Sequence, residues 1–143
     1  MATITYSEIT RLYADLFVPD IKIKCGKGWS EIIADMCLSL DLLINELDGE
    51  SYKGFQIENI ESKFGVLKVD YNFADKNLKK IIDFAERLSY YTCEMCGEPG
   101  KIYCSNKWLY WSTYKTLCKD HAISFIIMKS VTQKERNDKR KCF

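Results

Sequence analysis

Residues 93–97 read Cys93-Glu-Met-Cys96-Gly97, and residues 116–122 read Thr116-Leu-Cys118-Lys-Asp-His121-Ala122. Two thiolates three positions apart converge on one ion when the backbone makes a tight knuckle, and Gly97 supplies permissive backbone just after it. A helix beginning at about Cys118 presents Cys118 and His121 from its first turn toward the same ion. Between the halves lie the β-formers Ile102, Tyr103, Trp108, Tyr110, Trp111 and Tyr114, with a turn expected at Cys104-Ser-Asn-Lys107. Knuckle, hairpin, then two ligands at a helix start is the treble-clef arrangement. Three thiolates and one imidazole suit tetrahedral Zn2+ in a structural site. The expected ligands are therefore Cys93, Cys96, Cys118 and His121, with Cys104 as an alternative donor. Plain buried or reactive thiols, and an iron–sulfur or redox role, are the other readings of the same residues. Cys25, Cys37 and Cys142 are read as non-ligating.

A four-ligand site leaves no open position for water, as a catalytic zinc requires. His121 is also the only histidine in the chain. Using it on the metal removes the usual general base. The expectation is a protein that is not an enzyme.

Upstream of this lobe the periodicity alternates between helix and strand. Thr5-Tyr-Ser-Glu8 has the form of a capping box, followed by Ile9, Leu12, Tyr13 and Leu16 at helical spacing, with Pro19 as a stop. Ile21-Lys-Ile23-Lys reads as a short extended piece. From Trp29, apolar residues at 29, 32, 33, 36, 40, 43, 44 and 47 form a stripe over five turns, closed by Gly49. Leu67, Val69, Tyr71 and Phe73 alternate with Lys68, Asp70 and Asn72, as in a half-buried strand. Phe55–Ile60 is its hairpin partner, with a turn near Ser62–Gly65. Asp75 caps a further helix whose inner face is Leu78, Ile81, Ile82, Ala85 and Leu88. The fold class is therefore α+β: helices packed on a small antiparallel hairpin or sheet, followed by the treble-clef-like zinc lobe. The expected organisation is an α+β domain over 1–92, a zinc lobe over 93–128 packed on it, and a basic tail over 129–143.

The chain has 143 residues, 47% hydrophobic and 29% charged, which suits one ordinary core. Aromatics reach 13%, which excludes a disordered or collagen-like chain. No apolar run is long enough to span a membrane, and residues 1–20 lack a secretory pattern, so the chain is expected to be cytoplasmic. The overall charge of +1 hides a division: residues 1–92 carry 11 Lys/Arg against 15 Asp/Glu, and residues 93–143 carry 10 against 5. From Trp29 to Tyr52 there are six acids and no base. That face repels a phosphate backbone, so any nucleic acid is expected at the C-terminal third.

Two weaker features remain. Cys25-Gly-Lys-Gly-Trp29 at a helix start reads either as a phosphate cradle or as a tight turn that sets Trp29 into the core. The aromatic hairpin, with interleaved lysines, either fills space around the zinc or offers a partner-binding patch of Tyr103, Trp108, Tyr110, Trp111, Lys107 and Lys115.

In order and spacing, several segments resemble a group of small zinc-ribbon-tailed proteins of phage and prophage genomes. They are Cys25-Gly-Lys-Gly-Trp29, Glu61-Ser-Lys-Phe64-Gly65-Val-Leu67, Ala85-Glu86-Arg-Leu-Ser89, Cys93-Glu-Met-Cys96-Gly-Glu-Pro-Gly100 and Thr116-Leu-Cys118-Lys-Asp-His121-Ala122. The stretch between Gly100 and Thr116 departs from the group, which has a shorter Gly-Gly-Trp hairpin five residues before the third ligand, where this chain has Thr113. The resemblance implies a genomic setting and a bacterial host cell, not a mechanism. The expected function is a non-enzymatic accessory protein that binds a host protein or ribonucleoprotein, with inhibition of a defence system such as CRISPR–Cas as one form. The alternative is a nucleic-acid-binding accessory protein using the hairpin and the basic tail.

Overall fold

Thr5 closes the first helix by the reciprocal cap its sequence predicts. Its hydroxyl accepts from the Glu8 N–H (3.1 Å), and the Glu8 carboxylate accepts from the Thr5 N–H (3.3 Å). In the computed structural model, which describes residues 4–46, 52–106 and 112–123, this helix, α1, spans Tyr6–Leu12. It ends earlier than the periodicity predicts. At Tyr13 the backbone leaves helical geometry and resumes as a 3-10 turn over Ala14–Leu16. Ile9 and Leu16 are buried, whereas Leu12 faces solvent.

Strand β1 (Ile23–Lys24) is only two residues long, and a 3-10 turn over Lys27–Trp29 leads into helix α2, Ser30–Glu46. Trp29, Ile32, Ile33, Met36 and Leu40 of the expected stripe are buried, joined by Cys37, with Leu43 and Ile44 half-buried beyond them. Position 47 and the Gly49 stop lie outside the described residues. Strands β2 (Ile57–Lys63) and β3 (Val66–Tyr71) form the expected antiparallel hairpin, with Ile60 opposite Val69 and Ser62 opposite Leu67. The two-residue turn between them sets Phe64 at φ 55° and Gly65 at φ 86°, the left-handed pair that suits the twist of a tight hairpin. Strand β1 pairs parallel to β2, completing a three-stranded sheet of order β1-β2-β3.

Both Ile57 and Ile60 are buried although they stand three apart, an odd spacing for a strand. A register shift between Ile57 and Asn59 inserts one extra residue, and the bulge returns both side chains to the same face. The alternation expected through Phe73 stops sooner. The strand ends at Tyr71, and Phe73 is exposed, set edge-on against Phe55. Helix α3 (Lys76–Ser89) is capped by Asp75, whose carboxylate accepts from the Leu78 N–H at 2.9 Å. Leu78, Ile82 and Ala85 are buried, while Leu88, expected on the inner face, is exposed.

Strands β4 (Lys101–Asn106) and β5 (Ser112–Leu117) form a second sheet, paired from Lys101–Leu117 to Asn106–Ser112. The turn expected at Cys104–Lys107 is displaced, because residues 104–106 continue β4 and pair with 112–114. The architecture is thus mixed α+β, with helices and two small sheets. Its buried apolar residues form one cluster running from Ile9 to Ala85 and a second of Cys93, Leu117, Cys118 and Ala122. The tail expected over 129–143 lies outside the described residues.

Cys37 sits in the larger cluster, where burial, and secondarily Asp41, push its thiol from about 9 up to about 12. The folded chain therefore holds this proton where the unfolded chain releases it. The stability it contributes is complete below pH 9 and is lost as pH rises toward 12. Urea unfolding between neutral and alkaline pH should show a decline above about pH 9 whose slope shrinks by up to about 1.4 kcal/mol per pH unit in Cys37→Ala. An identical slope in the variant would refute the assignment.

Candidate metal centre

Beyond α3 the chain folds back on itself in a short knuckle. The Gly97 N–H donates to the Cys93 carbonyl (2.9 Å), the Cys93 N–H to the Glu98 carbonyl (2.7 Å), and the Gly100 N–H to the Tyr91 carbonyl (2.8 Å). Gly97 takes φ 84°, a left-handed conformation that suits glycine. The β4–β5 hairpin then returns Leu117 and Cys118 to the knuckle, where the Glu94 N–H donates to the Thr116 carbonyl (2.9 Å). A helical turn over 119–123 follows, anchored by the Ala122 N–H on the Cys118 carbonyl at 2.9 Å. That turn brings Cys118 and His121 to the same side, as the three-residue spacing predicts.

The four expected donors converge: their ligand atoms all lie within 4.8 Å of one another. The Cys96 and Cys118 sulfurs are 3.7 Å apart, and His121 Nδ1 lies 3.5 Å from the Cys93 sulfur and 3.2 Å from that of Cys118. A tetrahedral ion about 2.3 Å from sulfur and about 2.0–2.1 Å from nitrogen needs edges of about 3.8 Å and about 3.6 Å. The cluster therefore has the dimensions to hold a metal ion. Cys93 is fully buried and Cys118 is 9% exposed, while Cys96 faces solvent.

The backbone around Cys93 favours its thiolate. Burial alone would raise its pKa, but N–H groups of Cys118, Met95 and Cys96 outweigh that and lower it. Cys96 is pushed up to about 11 by desolvation, with the neighbouring Cys93 and Cys118 adding to the effect. Gathering several thiolates at one point is unfavourable without a cation to neutralise them, which is the chemistry of a metal-binding set.

The lobe is seated on Cys25–Trp29. The Gly28 N–H donates to the Glu94 carbonyl at 2.7 Å, and the Trp29 indole N–H to the Thr92 carbonyl at 2.9 Å. A Cβ on Gly28 would stand 2.2 Å from the Cys93 carbonyl oxygen, and one on Gly26 would stand 2.4 Å from that of Glu94. The paired glycines are thus where two backbones touch. The neighbouring cleft, about 540 Å³, is lined by Glu31, Asp35 and Glu98 against a single Lys27. That balance opposes a phosphate and favours the tight-turn reading of this motif.

The seat is locked by a residue that sequence reasoning passed over. Glu94 is buried at 3% exposure. One of its carboxylate oxygens accepts from the Gly26 N–H (2.8 Å), and the other accepts from the Ser62 hydroxyl (3.1 Å) and faces Lys115 Nζ at 3.8 Å. Thr116 adds a second clamp, its hydroxyl donating to the Gly65 carbonyl at 2.7 Å. In a single sequence Glu94 is merely a spacer between two cysteines, and nothing nearby marks it.

Of the residues expected to bind a partner, Tyr103 is half-buried against the small core, with Lys101 5.7 Å above its ring. Lys115 is tied to Glu94. Trp108, Tyr110, Trp111 and Lys107 lie outside the described residues, as do the side chain of Cys104 and all of Cys142. The other two cysteines are held as neutral thiols. Burial raises Cys25 to about 11 beside the Tyr6 hydroxyl (3.3 Å), and Cys37 is buried in the main core.

No family model, curated protein or solved structure matches this chain. Among the described residues, no helix is long and apolar enough to cross a membrane.

Because the atoms facing Gly28 are main chain, they cannot swing aside. Gly28→Ala should destabilise the protein by about 3 kcal/mol, whereas Lys27→Ala should change stability by no more than about 0.5 kcal/mol. Urea denaturation of both variants checks this. A Gly28→Ala protein of ordinary stability would show that the seat yields.

Proposed function

We propose that Cys93, Cys96, Cys118 and His121 hold a structural Zn2+ in a treble-clef-like lobe, and that the chain works by binding a macromolecule rather than by turning over a substrate. The observation that carries this reading is the closed donor set: three sulfurs and one imidazole nitrogen at tetrahedral spacing. Thiolate-rich sets with imidazole favour zinc. With four protein ligands the ion's role is folding, and the only imidazole in the chain is engaged. The zinc orders the knuckle and β5. Through them it fixes the base of the β4–β5 hairpin, whose Trp108, Tyr110 and Trp111 supply the aromatic anchors typical of binding surfaces.

The resemblance to phage and prophage accessory proteins directs the partner toward a host protein or ribonucleoprotein. Interference with a defence system such as CRISPR–Cas is the form of action that setting suggests. Nucleic acid is the second reading, supported by the excess of ten Lys/Arg over five Asp/Glu across residues 93–143. Tagged protein passed through bacterial lysate, with and without nuclease, separates the two. A stoichiometric protein that survives nuclease is the expected result. Bound material that vanishes with nuclease, and binding that falls steeply with salt, would transfer the function to nucleic acid.

Metal-binding energy in such a lobe is folding energy, on the order of 10 kcal/mol for structural zinc sites. Cys118→Ser should therefore lose zinc, measured by elemental analysis, and unfold at least residues 93–123. Strong chelation of the unmodified protein should do the same. A variant with full zinc content and unchanged melting would refute the ligand assignment.

A further inference from the structure

The helical layer turns outward a face that neither the metal centre nor the sheet uses. Helices α2 and α3 lie antiparallel, since Ile32 near the start of one meets Leu88 near the end of the other. Between them runs an apolar groove of about 270 Å³, lined by Ile32, Met36 and Ser39 on one side and Ile81, Phe84 and Leu88 on the other. On α3, Asp83 turns outward but is half-buried and paired with Lys79 at 3.2 Å. At about 100° per residue, the outer side of α2 presents Glu31, Asp35, Leu38, Leu42 and Glu46, and that of α3 otherwise presents Lys76, Lys80, Phe84 and Arg87. All of these are exposed, Phe84 by 59% and Leu42 by 49%. Helix α2 contains no basic residue. Among the described residues, none of these six charges makes an ion pair.

We propose that this face takes a second copy of the chain, related by a two-fold axis that runs along the helices. A symmetric contact presses one patch against itself, so the patch must be self-complementary. Only two arrangements lay two such helices over two others. An axis across the helices stacks α2 on α2 and opposes acid with acid. An axis along them stacks α2 of one copy on α3 of the other, opposing the acidic wall with the basic one. The antiparallel register then sets Glu31 and Asp35 against Arg87, Leu38 against Phe84, and Glu46 against Lys76. A helix from an unrelated protein would need the same pattern in mirror order, which this chain already carries. The 17 residues of α2 span about 25 Å, and two helices side by side cover on the order of 500 Å² per copy. That stands at the lower limit for a stable interface, so the dimer is weak and assembles in the micromolar range.

Sedimentation velocity on the metal-loaded full chain, from low micromolar to submillimolar concentration, tests this directly. The expected result is a shift from monomer to dimer. Phe84→Glu should weaken association by about tenfold or more, and Arg87→Glu should weaken it by reversing one wall. Both positions are solvent-exposed, so melting should fall by no more than a few degrees, the Arg87 reversal acting against the dipole at the end of α3. Adding Asp35→Arg to Arg87→Glu should restore association, which a fold defect would not do. A chain that stays monomeric throughout, whether or not it captures another protein's helix, overturns the proposal. So does a dimer indifferent to Phe84→Glu, or a double reversal that fails to recover.

Discussion

The buried carboxylate of Glu94 is the interaction on which the assembly of this chain depends. It sits between two of the clustered cysteines, yet its oxygens reach Gly26, Ser62 and Lys115, which come from three other parts of the chain. A carboxylate removed from water is costly unless its lone pairs are occupied, and here two donors and a cation occupy them. The same geometry depends on the knuckle. Glu94 meets Gly26 from a turn closed by the Gly97–Cys93 and Cys93–Glu98 backbone hydrogen bonds, which a bound ion would reinforce. On the proposed reading, metal binding and docking of the lobe on the main core would be one equilibrium. Energy gained at the four donors would reach the sheet through one side chain and the Gly26–Gly28 backbone.

What was readable in the sequence was whatever a short window could carry. The capping box at Thr5, the stripe along α2, the Asp75 cap and the paired spacing of Cys93, Cys96, Cys118 and His121 each rest on a few adjacent residues, and the caps, the stripe and the cluster all appear in the structure. The features that escaped rest on meetings between distant segments. The short extended piece over residues 21–24 is legible, but its parallel pairing of Ile23 with Ile60 is not. The bulge after Ile57 exists because both isoleucines must reach the core. Helix α1 stops after Leu12 and the chain tightens into a 3-10 turn that buries Leu16, a change of winding that the helical spacing of Leu12, Tyr13 and Leu16 does not signal.

The glycine pair shows why one motif supports two readings. A glycine is required wherever another group approaches the main chain closely, whether a phosphate or a second stretch of peptide. The sequence states the vacancy of a side chain without saying what fills the space. Here the approaching group is the Cys93–Glu94 carbonyl ladder. The acidic lining of the nearby cleft follows from the same economy of placement, since α2 carries its acids outward from its first turn.

Charge is likewise arranged by element. Glu31, Asp35 and Glu46 of α2 and Lys76, Lys80 and Arg87 of α3 lie on one face of one layer, so their balanced sum disguises two adjacent walls of opposite sign. A surface built that way attracts its own copy turned about the helix direction and repels the other symmetric arrangement, which gives orientation without requiring a large apolar area. The lobe, by contrast, keeps its aromatic hairpin on a separate sheet, joined to the body through Glu94 and the glycine seat. Self-association through the helices and partner binding through the hairpin would thus use different elements of the chain. Two copies would carry two hairpins, and a partner offering two sites would be held by both, with the second contact formed at high effective concentration. A weak dimer would then increase affinity for a repetitive or symmetric target without any added contact on the hairpin itself.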